Sequence, residues 1–262
     1  MLKSIYTPLS GALAQEKVLD IIANNLANVN TVGYKEEKVA FKVLDPEPEK
    51  NYKNPLPPAN YKIDLEHLHP LNGNEIDYVE VSGVFRDDHQ GPAINTGNDF
   101  DFMIEGEGYF EINTQEGLRY SRNGSFTLNQ DGALTDKMGN PIQGENGTIF
   151  VKSTNFEVNR EGEVIQDGKL IDKIKLVKFS DPTLIEKVGM NYYFHSGPEE
   201  FASKLEFPNL RQGFLEGSNV NPVKNLTTMI MAHRSYEAYQ KAIKNVDNMM
   251  EKSSNTIGAV RA

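Results

Sequence analysis

The two ends of this chain share one pattern, and the middle carries another. Residues 1–29 and 222–257 read as long amphipathic helices, while the residues between read as short strands and turns. Helices at opposite ends can pack together only if the chain returns to where it began. That requirement restricts the expected fold to the α+β class. Its N- and C-terminal helices pair as a coiled-coil stalk, with a central, mostly antiparallel β domain.

The C-terminal stretch has the stricter period. Met229, Ala232, Tyr236, Tyr239, Ile243, Val246 and Met250 recur at spacings of three and four, the a/d seam of a coiled coil. Asn221 can cap the free N–H groups, and Pro222 suits the first helical position, where it forfeits no hydrogen bond. From there to Gly258 neither Pro nor Gly interrupts the helix. The N-terminal stripe is looser: Leu2, Ile5, Leu9, Ala12, Leu13, Leu19, Ile22, Leu26 and Val29. It stops at Asn28-Val29-Asn30-Thr31-Val32-Gly33, where Asn30 or Gly33 can adopt the left-handed conformation that ends a helix. Thr7-Pro8 marks a second start or a kink. Pattern alone leaves open a private helical hairpin that buries both faces in its own domain.

Between the helices, Pro46, Pro48, Pro55, Pro57 and Pro58 mark an extended arm. Strand-like runs follow at 102–104, 109–112, 125–128, 148–151 and 174–179. Six polar-Gly pairs separate them: Glu116-Gly117, Asn123-Gly124, Asp131-Gly132, Asn146-Gly147, Glu161-Gly162 and Asp167-Gly168. Such pairs favour hairpin turns, because the tightest turns need positive φ at both central residues. The expected division is therefore a helical domain from 1–36 and 216–262, an extended linker with short strands over 37–94, and a β-rich domain over 95–215.

Charge and composition narrow the chemistry. The formal net charge is −10, which argues against nucleic acid, whose binding needs clustered Lys and Arg. No apolar run reaches the roughly 20 residues that span a bilayer, so direct membrane insertion is not expected. No continuous apolar block follows Lys3, so a cleaved signal peptide is not expected either. There is no cysteine, which removes disulfides, thiolate metal sites and thiol nucleophiles. Asp99, Asp101, Glu105 and Glu107 are the densest acidic group, but no base is anchored beside them, and a solvated strand face explains them better. His67-Leu68-His69, with Asp64 and Glu66, lacks a third ligand fixed by spacing. Gly106-Glu107-Gly108 lacks the third glycine and following helix of a dinucleotide site. No catalytic residue, cofactor or metal is expected, and an enzyme is the poorer reading.

One further pattern is specific. The segment from Ala23 to Lys35, Ala-Asn-Asn-Leu-Ala-Asn-Val-Asn-Thr-Val-Gly-Tyr-Lys, resembles the N-terminal signature of bacterial flagellar rod and hook proteins. Asn95–Asn98 with Phe102–Phe110, Tyr120–Phe126, and Gly213–Val220 continuing into Met229-Ile230 and Arg234–Tyr239 match the same family in order. Length sets the chain with the short rod proteins, with the proximal type resembled more than the distal. The resemblance implies a structural rod subunit, exported by the flagellar export apparatus and polymerising through its terminal helices into a hollow shaft across the periplasm. Its partners would be further copies and neighbouring rod or hook segments. The assembly residues it implies, together with the seam, are Asn24, Asn25, Leu26, Asn28, Asn30, Gly33, Ser218, Asn219, Met229, Tyr236, Tyr239, Ile243, Val246 and Met250. A β-rich binding module on a helical oligomerisation stalk is the alternative from another class.

Overall fold

The computed structural model describes residues 3–44, 78–152, 156–181, 184–189, 191–197, 202–205 and 207–259. The prolines at 46–58, the His67/His69 pair and its neighbouring acids lie outside them. The chain forms two compact units. One comprises Met1–Ala23, Lys38–Phe85 and Leu226–Ala262, and the other Asn24–Glu37 and Arg86–Asn225. The signature residues from Asn24 onward thus associate with the β body.

Helix α1 spans Lys3–Ala27 and α2 spans Pro222–Ala259. Helix α1 passes through Pro8 without ending. Asn221 caps α2 as its sequence predicts, its Oδ1 accepting the Lys224 N–H at 3.1 Å. In the first unit the α2 seam is the covered face. Ala232 is buried, and Met229, Tyr236, Tyr239, Ile243, Val246 and Met250 are half-buried. On the part of α1 in this unit the buried residues are Gly11, Ala12, Ala14, Ile21 and Ile22. Leu9 and Leu13, expected on that face, stand 39% and 57% exposed. The reason is the Tyr239 ring: a Cβ on Gly11 would lie 2.6 Å from it. A bulky ring needs a notch of small residues, so the covered face of α1 centres on Gly11, Ala12 and Ala14 and turns the leucines outward. The strands Glu37–Leu44 and Tyr78–Arg86 pair as a two-stranded ribbon.

The second unit is the β body. Its main sheet has six strands in the spatial order Ile185–Val188, Tyr192–His195, Gly117–Ser121, Tyr109–Thr114, Leu176–Phe179 and Ala202–Lys204. Every neighbouring pair is antiparallel. The principal core gathers Phe102, Ile104, Phe110, Ile112, Phe126, Leu134, Ile142 and Ile149 with their neighbours. Phe110 and Phe126 meet edge to face, with ring centroids 5.2 Å apart. A second cluster joins Tyr109, Val177, Phe179, Ile185 and Tyr193. Alternation explains the split, since successive residues of one strand, such as Tyr109 and Phe110, face opposite sides.

Five of the six polar-Gly pairs lie in turns between antiparallel neighbours. Asp167 and Gly168 both have positive φ, at 52° and 74°, as a two-residue hairpin turn of the primed type requires. Asn123-Gly124 is different. It lies on a crossing where Gly124 passes against Phe102, whose N–H donates to the Gly124 carbonyl at 2.9 Å.

Candidate functional site

The signature segment builds a polar junction at the roots of both helices, all of it within the second unit. Gly33 makes the turn after α1 with φ at 69°, where a Cβ would lie 2.6 Å from the Arg122 carbonyl carbon. Its N–H donates to the Glu216 carbonyl at 2.8 Å. The chain leaving α1 is thereby tied to the chain that approaches α2.

Asparagines complete the tie, because one carboxamide offers both a donor and an acceptor to a passing backbone. Buried Asn25 donates to the Glu37 carbonyl at 2.8 Å and accepts the Glu37 N–H at 3.0 Å. From the other crossing, Asn219 accepts the Glu36 N–H at 2.7 Å and donates to the carbonyls of Asp87 and His89. In the first turn of α2, Asn225 donates to the Glu36 carboxylate at 2.8 Å. The Tyr34 hydroxyl lies 2.9 Å from the Asn24 Oδ1 and 3.0 Å from the Asn25 Oδ1. Burial holds that phenol well above the usual tyrosine range.

Beneath this network lie three charges. The Lys35 ammonium, 1% exposed, contacts Glu216 Oε1 at 2.6 Å, with Glu216 itself 2% exposed. The ammonium also donates to the carbonyls of His89 at 2.8 Å and Asp88 at 3.3 Å. Its three donors therefore have three acceptors. On the other side Arg122, 5% exposed, places Nη1 3.4 Å from Glu216 Oε2. Burial pushes the Lys35 amine below its ordinary range, and Glu216 opposes that shift.

A hairpin of the main sheet closes over the junction. Lys187 pairs with Glu37 at 2.8 Å and sits 4.4 Å from the centre of the Tyr34 ring. Asn191, held at φ 135°, donates from Nδ2 to the Val32 carbonyl at 3.1 Å. A non-glycine residue in that region persists only where its surroundings over-determine it.

The residues singled out in the sequence thus fall into two sets. Asn24, Asn25, Asn28, Gly33, Ser218 and Asn219 are engaged within the chain: Asn28 donates to the Asn24 carbonyl at 2.8 Å, and the Ser218 hydroxyl accepts the Val220 N–H at 3.3 Å. Asn30 is exposed and Leu26 half-buried. The seam residues of α2 form the other set, in the first unit. Tyr34, Lys35, Arg122 and Glu216 lie inside the motifs that carry the family resemblance but are not among the expected assembly residues, and Asn225 lies outside those motifs. For the first four the available signal was a charge or a hydroxyl inside segments otherwise made of Gly, Asn and apolar residues, where a solvated surface would show more charges of both signs; Asn225 carried no such signal.

The acidic group at 99–107 disperses. Asp101 is buried against the Thr96 hydroxyl at 2.6 Å, Glu105 pairs with Arg211 at 2.9 Å, and Glu107 pairs with Lys178. Among the described residues, no three His, Asp or Glu side chains gather as a metal site.

Comparisons with known proteins fall on the same segments. Residues 5–35 match the profile of the flagella basal body rod protein family. Residues 103–166 match the D1 domain of flagellar hook protein FlgE/F/G, and 211–256 match the C-terminal region of flagellar basal body rod FlgEFG proteins. The chain is 30% identical over 260 residues to the flagellar basal-body rod protein FlgF of Caulobacter vibrioides, covering 98% of each. It is 32% identical over 270 residues to the rod protein FlgG of Bacillus subtilis, covering 97% of this chain and 99% of that one. Likeness to the FlgG of Buchnera aphidicola from Acyrthosiphon pisum is also 32%, over 266 residues.

Proposed function

The chain belongs to the flagellar basal-body rod protein family, and we propose that it is a rod subunit of the proximal type whose outward helix stripes form the polymer contact. A structural role in the basal body requires no catalysis, and the subunit works by packing against other rod proteins. It is exported through the flagellar apparatus, and it forms part of the shaft that crosses the periplasm.

The observation that carries the reading is a second apolar stripe on each helix. On α1, Tyr6, Leu9 and Leu13 are exposed at spacings of three and four. On α2, Leu226, Ile230 and Met231 are exposed, and Met249 lies further along. The seam from Met229 to Met250 is already covered within its own unit, which suits a coiled-coil pairing of α1 with α2 inside one subunit. The uncovered stripes are then what a neighbour would bury. Head-to-tail contacts generate helical filaments where the rotation between copies does not close a ring, and a rod needs contacts of that kind.

Ile230→Asp and Leu13→Asp test this. Both positions are exposed, so the isolated chain should melt within about 0.5 kcal/mol of the parent stability. A charge buried against an apolar neighbour is expensive, so neither variant should enter basal bodies purified from a strain lacking the parent chain. Normal incorporation of both would remove the stripes as the polymer contact.

A further inference from the structure

Lys35, Glu216 and Arg122 present an imbalance that a purely stabilising cluster would avoid. Two cations and one carboxylate are almost fully buried together, so the group holds an excess positive charge. Burying ions costs several kcal/mol each before any pairing is recovered, and well-packed apolar residues of similar size often serve stability as well or better. In formal charge, Glu216 would be matched by Arg122 alone, through the longer 3.4 Å contact. Its Oε1 would still accept the Gly91 N–H, at 3.1 Å. Lys35 is therefore surplus to the charge balance, yet its ammonium touches two separate chain segments. It bonds Glu216 on the crossing into α2 and the carbonyls of Asp88 and His89 on a third strand of chain.

We propose that Lys35 is a positioning residue: its ammonium fixes the register between the chain leaving α1 and the chain entering α2, and contributes less to the stability of the β body than Glu216 does. The geometry favours an ammonium for this task. A long flexible stem can reach through the junction, and its three donors accept no substitute geometry from an apolar side chain, which would pack but could slide. The consequence for assembly rests on the rod-subunit reading above, whereas the consequence for register does not.

Two variants separate register from stability. Lys35→Met leaves the Glu216–Arg122 pair neutral but removes the buried donor of three acceptors, so the thermal midpoint of the isolated chain should fall, by less than in Glu216→Gln. Amide hydrogen exchange at residues 33–36 and 217–220 should accelerate tenfold or more beyond any change at the core amides of the main sheet. Glu216→Gln keeps an acceptor but leaves two buried cations facing each other, so its midpoint should fall clearly. In cells, Lys35→Met should enter basal bodies at a tenth of the parent level or less. Unchanged exchange in Lys35→Met overturns the proposal, as does a fall in its midpoint to match Glu216→Gln, which would make Lys35 an ordinary stabilising residue. Faster exchange with normal incorporation overturns the link to assembly and leaves the register role standing on the exchange data alone.

Discussion

A carbonyl oxygen decides what can stand at position 124. A Cβ built there would lie 1.7 Å from the Phe102 oxygen and 3.3 Å from the Phe110 ring. Neither is a flexible side-chain tip that could move aside. Gly117 differs: it has φ at 106°, yet nothing lies within 4 Å of its Cβ position. Alanine at 117 should therefore cost about 1 kcal/mol from backbone strain alone. Alanine at 124 should cost several times that, on the order of 3 kcal/mol or more, because the chain crossing itself must shift. Urea unfolding of the two variants would measure the gap, and equal losses would contradict it. Both glycines follow a polar residue, so the sequence presents them alike. Only the fold shows that one turns a hairpin and the other lets two backbones touch. The junction residues have the same limit. Asn25, Gly33 and Asn219 stand out in the chain as signature residues, but their partners are some 10 to 190 positions away, and no local pattern encodes them.

At the scale of elements, the helices were the most legible part. A run without Pro or Gly, opened by Asn221-Pro222, gives α2 nearly residue by residue, because capping and periodicity are local. The phase of α1 was harder to read. Its apolar residues mark two stripes, and choosing which is covered requires knowing what it packs against. Tyr239 makes that choice by demanding a bare backbone at Gly11. Gly11→Val is the corresponding test. Its Cβ would lie 2.6 Å from a Tyr239 ring carbon, and because valine is itself an acceptable helix residue, the loss would come from packing and not from propensity. Limited proteolysis should cut the termini of this variant well before those of the parent, while the β body melts at the same temperature. Parent-like resistance would show that α1 and α2 do not depend on this contact. The strands were legible as hairpins because Gly-containing turns announce them, whereas the sheet order was not. Tyr192–His195 pairs with Gly117–Ser121 across some 70 residues, and such long-range pairing leaves no trace in a window of ten.

For the whole molecule, the buried tyrosines set a limit in alkali. Burial raises the phenols of Tyr34, Tyr109 and Tyr193 above the ordinary value near 10, and Tyr193 is pushed up to about 12. Each is nearly inaccessible to solvent. Once the pH passes about 10, an unfolded tyrosine loses its proton while a buried one keeps it. The native state then binds more protons than the unfolded state, so stability falls as pH rises, by about 1.4 kcal/mol per pH unit for each such group. Lys35 acts in the opposite sense. Its lowered pKa means the native state holds fewer protons below about pH 10.5, so its contribution rises with pH until that point and then stops. The two effects partly offset near pH 10, and above about pH 10.5 the three tyrosines act unopposed, at up to roughly 4 kcal/mol per pH unit until Tyr193 reaches its own pKa at about 12. Typical domains have only about 5–15 kcal/mol in reserve, so a loss of this size is enough to unfold the body cooperatively in strong alkali. Circular dichroism and tyrosinate absorbance recorded on the same samples provide the check. The buried phenols should ionise only as the secondary structure is lost. Tyrosinate appearing in full while the fold persists would mean that these hydroxyls reach solvent in the native chain.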